Sequence, residues 1–554
     1  MDSIKTTTGP EKKTRVTVAK ELQRFESKIS QGMSQRRAAN AIGIPRGTLL
    51  RWQERSAKIP LPKATIDFFE SPDGAMFIDR LINALQLVMN QVGSCGIRLL
   101  SMVLRLSSLD YFVSSSYETL RERGILMEEA IVSFGKEEQH RLSEGMPIKP
   151  ISIVEDETYH HNPCLVAMEP VSNFILLEKY GEKRDAATWN AALDEALAGL
   201  PVKVIQSTSD EARGIVNHVE QHLDAHHSPD IFHVQQDITK GTSAAMSAKI
   251  RAAHQMIEIL ENELKARAVI DQKSQRGRPS ALSLKKDDEI QTDLIAAKEI
   301  LATLQSQKIA IQDAKKGIGA VYHPYDLGTG AARSTEQVQQ DLLQHFDTIE
   351  KNATAANLRE TAIDKIKKAK RVCSGLVATM TFYWMMVSQL IESLSLSCKH
   401  EQVLRDTLIP AHYLMIASKK AKTAERRHQI KQQAKRLFSE LETNDVWINT
   451  VQIDQSLLMS AAKECAQLFQ RSSSCLEGRN GYLSLRHHGL HHLSERKLGT
   501  LTVIHNYFTT RPDHTTAAER LFSKKPRDLF EHLVKILPSI SKPALQAVAL
   551  RRAA

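Results

Sequence analysis

A chain of 554 residues is too long for one ordinary hydrophobic core and divides into several units. Apolar residues at 42% and charged residues at 25% are ordinary for soluble globular protein, and 74 Lys+Arg against 64 Asp+Glu leave a charge of +10 that favours a polyanionic partner. The six cysteines (Cys95, Cys164, Cys373, Cys398, Cys465, Cys475) include no C-x-x-C pair, so neither a disulfide framework nor a zinc site is signalled, and a reducing, cytosolic setting is the simplest reading.

Residues 1–14 are polar, with Gly9-Pro10, and read as a disordered tail without a signal peptide. Helical patterning starts near Val16, and residues 32–55 have the layout of a helix-turn-helix, which makes 15–57 a DNA-binding unit. Ser34 is placed to cap the first helix, Ala38, Ala39 and Ile42 supply its buried face, Gly43 makes the turn, and Ile44 plugs the space between helices. The second helix, near Pro45 to Arg55, then offers Arg46, Thr48 and Arg51 to base edges or phosphates, with Leu49, Leu50 and Trp52 as apolar contacts. A plain helical hairpin with a solvated basic face is the alternative. Residues 58–145 also read as helical, with an amphipathic run over Phe77–Val92 and a cap and short helix over Ser114–Leu126. They form either a linker or a second DNA-contacting unit.

Over 146–242 the period changes. Pro150 to Val154 is an apolar strand ending in Glu155-Asp156-Glu157, and Cys164–Met168 and Phe174–Tyr180 complete a three-stranded meander between turn residues. Ala186–Leu200 has helical spacing, Val202–Ile205 is a fourth strand leading to Asp210, Glu211–Leu223 is helical, and Ile231–Val234 is a fifth strand. This βββαβαβ order is that of an RNase H-like core, in which the first and fourth strands lie side by side. Asp156 and Asp210 then point into one site, where paired carboxylates call for divalent metal.

Residues 243–470 are rich in Ala, Leu, Lys, Glu and Gln at helical spacing, as in Ile250–Ala268, Asp287–Asp313, Glu336–Ile349 and Asn357–Arg371, and predict a large helical insertion. Val372–Ile391 carries no charge and is read as a buried core helix rather than a membrane span. Basic runs at 365–371 and 419–428 suit phosphate backbones, although such runs are also ordinary solvated helix faces. Arg276 and Arg278, in Arg-Gly-Arg-Pro, resemble an AT-hook that reads a narrow minor groove.

The last segment, 471–540, followed by a tail over 541–554, carries Glu477-Gly478-Arg479-Asn480, a basic helix with Arg486, His487 and His488, the sequence His505-Asn506-Tyr507-Phe508, and Thr515-Thr516-Ala517-Ala518-Glu519-Arg520-Leu521-Phe522. Together with Asp156 in its acidic cluster, Ser209-Asp210-Glu211 and Asp230-Ile231-Phe232-His233, this resembles bacterial insertion-sequence transposases of the DDE type, from about residue 100 onward. The helical block matches in character more than in letters. The gap between Asp210 and Glu477 is longer than in many relatives.

The resemblance implies an α+β multidomain protein, with an RNase H-like core split by the all-α insertion and preceded by the helix-turn-helix. Asp156, Asp210 and Glu477 would be catalytic and would hold Mg²⁺ or Mn²⁺, two ions in all. Ser474-x-x-Glu477 is also a capping box, and Glu495 is the substitute third acid. Gly478 and Gly481 are poor helix formers, which implies an irregular start or close approach of DNA. Arg479, Asn480 and Arg486 join the expected DNA contacts. Five histidines, at 487, 488, 491, 492 and 505, are read as part of a basic helix on DNA, with a zinc cluster as the alternative; His233 would touch the site or finish a strand. The implied partners are double-stranded DNA (terminal repeats and target) and further copies of the chain in a dimer or larger assembly, with no membrane, in the bacterial cytoplasm at the nucleoid. A metal-dependent nuclease without strand transfer and a non-catalytic DNA-binding regulator are the alternatives.

Overall fold

The computed structural model describes residues 15–57, 59–160, 162–271, 286–490 and 493–539. The expected tails at 1–14 and 541–554 lie outside them, as do Arg276, Arg278, His491 and His492.

Helices α1 (Arg15–Ser30), α2 (Gln35–Ile42) and α3 (Arg46–Ala57) close around Val18, Leu22, Phe25, Ala38, Ala39, Ile44 and Leu49. Ser34 accepts the amide of Arg37 at the head of α2, and Gly43 ends the helix at φ +75°, a backbone that glycine adopts without a Cβ penalty. Next come α4 (Lys63–Glu70), α5 (Pro72–Leu85), α6 (Ile97–Leu106) and α7 (Tyr117–Ser143). The amphipathic run at 77–92 is divided, because α5 ends at Leu85 and a wider π turn, Gln86–Val92, follows. The short helix expected near 114–126 is instead the 27-residue α7, capped by Ser116.

The five strands are β1 (Lys149–His160), β2 (Asn162–Glu169), β3 (Phe174–Tyr180), β4 (Val202–Ser209) and β5 (His226–Pro229), with α8 (Ala186–Leu197) before β4 and α9 (Arg213–Asn217) before β5. They form one sheet in the order β3-β2-β1-β4-β5; β1, β2 and β3 are antiparallel, and β1, β4 and β5 are parallel. The fifth strand is therefore at 226–229, and the residues expected to form it, Ile231–Val234, are the first turn of a helix. Its buried residues Ile231, Val234 and Ile238 recur every three to four positions, which is a helical period.

That helix, α10 (Ile231–Asp271), opens the helical block, ahead of the boundary expected at 243. It is followed by α11 (Asp287–Val321), α12 (Thr335–Ala355), α13 (Glu360–Arg371), α14 (Cys373–Ser393), α15 (Cys398–Val403), α16 (Ile409–Lys420), α17 (Ala424–Glu440), α18 (Asp445–Ile448) and α19 (Gln452–Gln467). The uncharged stretch lies in α14 and turns Leu376, Met380, Tyr383, Val387 and Ile391 into the core of this block. The basic run at 365–371 is partly engaged, with Lys368 3.3 Å from Asp237 and Lys370 2.6 Å from Asp347.

The chain then returns to the sheet through α20 (Ser474–Leu490) and α21 (Glu495–Tyr507), and ends in α22 (Ala517–Phe522) and α23 (Leu529–Ile536). Leu476 and Leu483 of α20 and Leu498 and Leu501 of α21 pack on Val154, Val166 and Met168; the opposite face of the sheet receives Trp189, Leu193, Ile215 and Val219. Residues 58–145 are more than a linker here, since Met127, Ile131 and Phe134 of α7 share a core with Ile504, Leu521 and Leu533. Gly135 permits this crossing, because a Cβ there would collide with Val503.

Candidate functional site

Strands β1 and β4 run parallel with Val154 opposite Thr208, and β4 and β5 with Ser209 opposite Pro229. Two positions further along the first register Asp156 comes level with Asp210, and one position along the second Asp210 comes level with Asp230. Three aspartates thus form a row where β1 parts from β4 and where β4 and β5 end, the carboxyl side at which parallel sheets open their crevices. A cleft beyond β4 and β5 is lined by Asp210, Glu211, Asp230, His233, Lys240 and Lys368.

Successive strand residues face opposite sides, and this sorts the three acids of β1. Glu155 is buried, accepts the Ser207 hydroxyl and lies 3.4 Å from Nε2 of His218. Glu157 accepts the Trp189 indole N–H at 3.0 Å and Arg184 at 3.2 Å. Asp156 alone turns toward α20, where the amide of Asn480 donates to its Oδ2 at 2.8 Å while the backbone N–H of Glu157 donates to Oδ1 at 2.8 Å.

Asp230, given no role of its own from the sequence, fastens the helical block to the sheet. It is 2% exposed. Its Oδ1 accepts the amide of Phe232 at 2.7 Å, at the head of α10, and its Oδ2 accepts the amide of Ser473 at 3.1 Å and the Ser473 hydroxyl at 2.5 Å, just before α20. The N–H of Ile231 donates to the carbonyl of Arg471 at 3.1 Å, and Arg471 in turn donates to the carbonyls of Gly319 and Tyr322. The block therefore leaves and rejoins the sheet at one point, and α20 starts beside the aspartate row. The expected capping box is replaced in part by this clamp. His233 lies on the first turn of α10 with Nε2 3.7 Å from Asp230, so it adjoins the site and ends no strand.

Burial above all pushes the carboxyl of Asp156 up to about 6; the charges of Asp210 and Asp230 add to the rise, and the Glu157 amide and His233 oppose it. The carboxyl of Glu477 is raised by partial desolvation and then by Asp230. Glu477 thus stands within the electrostatic reach of the row, whereas Glu495 acts on Tyr180.

A buried acid with a raised pKa costs folding free energy once it ionises, a cost that sets in between the ordinary carboxylate range and about 6 and persists above it. Asp156→Asn is therefore expected to stabilise the protein by about 1–3 kcal/mol at pH 7–8 and by progressively less below pH 6. Thermal melts across that range check this. Asn480 can turn its amide to match the new side chain, since its Oδ1 is buried without a partner.

The donor set is hard oxygen, which suits Mg²⁺ or Mn²⁺, and a cation would relieve the mutual repulsion of the carboxylates. Among the described residues no three His, Cys, Asp or Glu side chains stand close enough to grip one ion together. Coordination by Asp156 would exchange the Asn480 amide for the ion.

Several expected DNA contacts are committed elsewhere. Arg479 is buried in a bidentate pair with Glu178, at 2.7 and 2.5 Å, because α20 lies on the sheet with this side chain inward. Arg486, 3% exposed, donates to the carbonyls of Val92 and Gly93 and so ties α20 to the turn after α5. Asn480 serves Asp156. On α3, Arg46 and Arg51 are exposed and Thr48 is half-buried; Arg51 Nε donates to the carbonyl of Gly47 at 3.0 Å.

Gly478 and Gly481 sit in a continuous helix, and a Cβ on either would meet nothing within 4 Å. Packing therefore does not account for these glycines. His487 contacts the Tyr180 hydroxyl at 3.1 Å, and His505, half-buried with its pKa pushed down to about 4 by desolvation, contacts the carbonyl of Asn173 at 2.9 Å. Among the described residues, no group of three His, Cys, Asp or Glu side chains that could hold a metal ion includes either histidine.

A family described as a family of unknown function (DUF6399) matches residues 404–549, a stretch that includes α16 to α23 and Glu477. No curated protein matches the chain.

Proposed function

We propose that this chain is a DDE-type DNA transposase with an RNase H-like catalytic core, and that Asp156, Asp210 and Glu477 hold two Mg²⁺ or Mn²⁺ ions. The observation that carries the reading is the parallel register of β1 and β4, which leads to Asp156 and Asp210 at neighbouring strand ends, together with the bond from Asn480, on the helix bearing Glu477, to Asp156. The sheet order and the return of a helical block at a single point also support it. Bound there, divalent ions would lower the pKa of an attacking water or 3′-hydroxyl and stabilise the leaving oxygen.

The chain's own groups set the geometry. Asn480 orients the Asp156 carboxylate, and the Asp230 clamp fixes where α20 begins. Lys240, which lines the cleft, supplies positive charge toward a phosphodiester, while Lys368 is paired there with Asp237. The three-helix unit α1–α3 would recognise the terminal repeats as a helix-turn-helix, with α3 in the major groove. Joining two element ends requires dimers or larger assemblies on DNA, acting on the bacterial nucleoid in the cytoplasm.

Arg46→Ala and Arg51→Ala are each expected to weaken binding to the repeats by about 1–3 kcal/mol while leaving the melting temperature unchanged. Titration of a labelled duplex checks this. The proposed reaction is tested by incubating the protein with Mg²⁺ and a duplex carrying the flanks of its gene, then sequencing the products. Joined ends support transposition, cuts without joining indicate a nuclease, and binding without cutting indicates a regulator.

A further inference from the structure

The most basic surface of the helical block starts beside the head of α20. Between 419 and 436 stand Lys419, Lys420, Lys422, Arg426, Arg427, Lys431, Lys435 and Arg436 against a single acid, Glu425. All of them are exposed. The helix is held from beneath by Ile430, Ala434 and Leu437, which pack on Ala411 and Leu414, so the cations stand on its outer side. Arg427, Lys431 and Lys435 recur every fourth residue and form one ridge. Arg426, Gln429, Gln432, Gln433, Lys435 and Arg436 border a shallow groove against Leu327 and Gly328, so amide donors alternate with cations.

Intramolecular pairing uses little of this charge. Arg436 lies 3.6 Å from Glu440, and Arg426 and Arg427 contact the Gln429 amide oxygen and the Ala421 carbonyl. At the near end, the charge of Lys420 reaches Cys475, whose thiol burial pushes up to about 11 and Lys420 draws back down, and Cys475 lies two positions before Glu477. Lys420 and Arg426 also act on His323, which contacts Arg471 at 2.7 Å, next to the Asp230 clamp. A cationic track thus leads from the head of α20 outward along α17. Its 17 helical residues span about 25 Å, or roughly seven base-pair steps.

We propose that the outer face of α17, together with Lys419, Lys420 and Lys422, is a second phosphate-backbone surface that carries duplex DNA away from the acidic site irrespective of sequence. Its direction rests on the reading that the acidic site acts on DNA. Cations and amides with no exposed Phe, Tyr or Trp among them suit a duplex backbone rather than unstacked single-stranded bases.

The test uses the full chain without divalent metal, so that no chemistry intervenes, and a random-sequence duplex lacking the gene's flanks. The variant Arg427→Gln/Lys431→Gln/Lys435→Gln is compared with Lys136→Gln/Lys183→Gln/Lys203→Gln, which removes the same charge from exposed lysines elsewhere. The first is expected to weaken binding at least tenfold and to reduce the slope of log affinity against log salt by about two to three. The second is expected to bind as the wild type does. Equal losses in both, an unchanged first variant, or a first variant that loses single-stranded RNA but keeps duplex DNA would each overturn the proposal. If the α17 variant loses duplex binding and the wild type never cuts the gene's flanks with Mg²⁺, the surface stands and the catalytic reading falls.

Discussion

Asp210→Asn is expected to lower Mg²⁺-dependent cleavage by on the order of 10³-fold or more, the equivalent of several kcal/mol of lost stabilisation of the charged transition state. The same change is expected to leave the fold intact. The carboxylate accepts one long backbone bond, from the amide of Ala212 at 3.3 Å, which an asparagine oxygen retains. Its neighbours along the row are other acids, so removing its charge relieves repulsion. Thermal melts within about 0.5 kcal/mol of wild type, together with an absent product band, are the predicted pair of results. An active variant would take Asp210 out of the site.

Arg479→Ala is expected to cost about 3–5 kcal/mol of stability, because it leaves the Glu178 carboxylate charged and buried with the Thr502 hydroxyl as its remaining side-chain donor. Burial works against the guanidinium, but the carboxylate of Glu178 outweighs it and holds the charged form above its ordinary pKa. If the loss comes from the stranded charge, removing both charges as Arg479→Met/Glu178→Leu should restore most of it. Urea melts of the three proteins decide the point. A single variant as stable as wild type would mean that α20 does not lie on the sheet through this pair.

Much of the sheet could be read from the sequence, because its strands are short apolar runs bounded by turn residues. Phe174–Tyr180 falls in its expected place, and β1 and β4, which lead to Asp156 and Asp210, lie side by side and parallel. The fifth strand was misplaced because Ile231, Phe232 and Val234 are apolar enough for either structure. Asp230 decides the matter by capping a helix, with β5 made from the polar-looking His226–Pro229.

The clamp between Asp230 and Ser473 joins residues far apart in the chain, and local pattern carries no trace of such a pairing. The same limit explains Arg479 and Arg486. A basic residue on a helix reads as a contact for phosphate until its partners, Glu178 of the sheet and the Val92 carbonyl in the turn after α5, are known. The caps of α2 were legible because they are local. Ser34, Gly43 and Ile44 occupy their expected places.

The most direct measurement is Mg²⁺-dependent cutting and joining of a duplex carrying the gene's flanks, by the wild type and by Asp156→Asn, Asp210→Asn, Glu477→Gln and Glu495→Gln. Product in the wild type and in Glu495→Gln alone is the predicted result, since the charge of Asp230 reaches Glu477 while that of Glu495 falls on Tyr180. Full activity in Glu477→Gln, or a wild type that binds the flanks and never cuts them, would contradict the assignment of Asp156, Asp210 and Glu477 as one catalytic site.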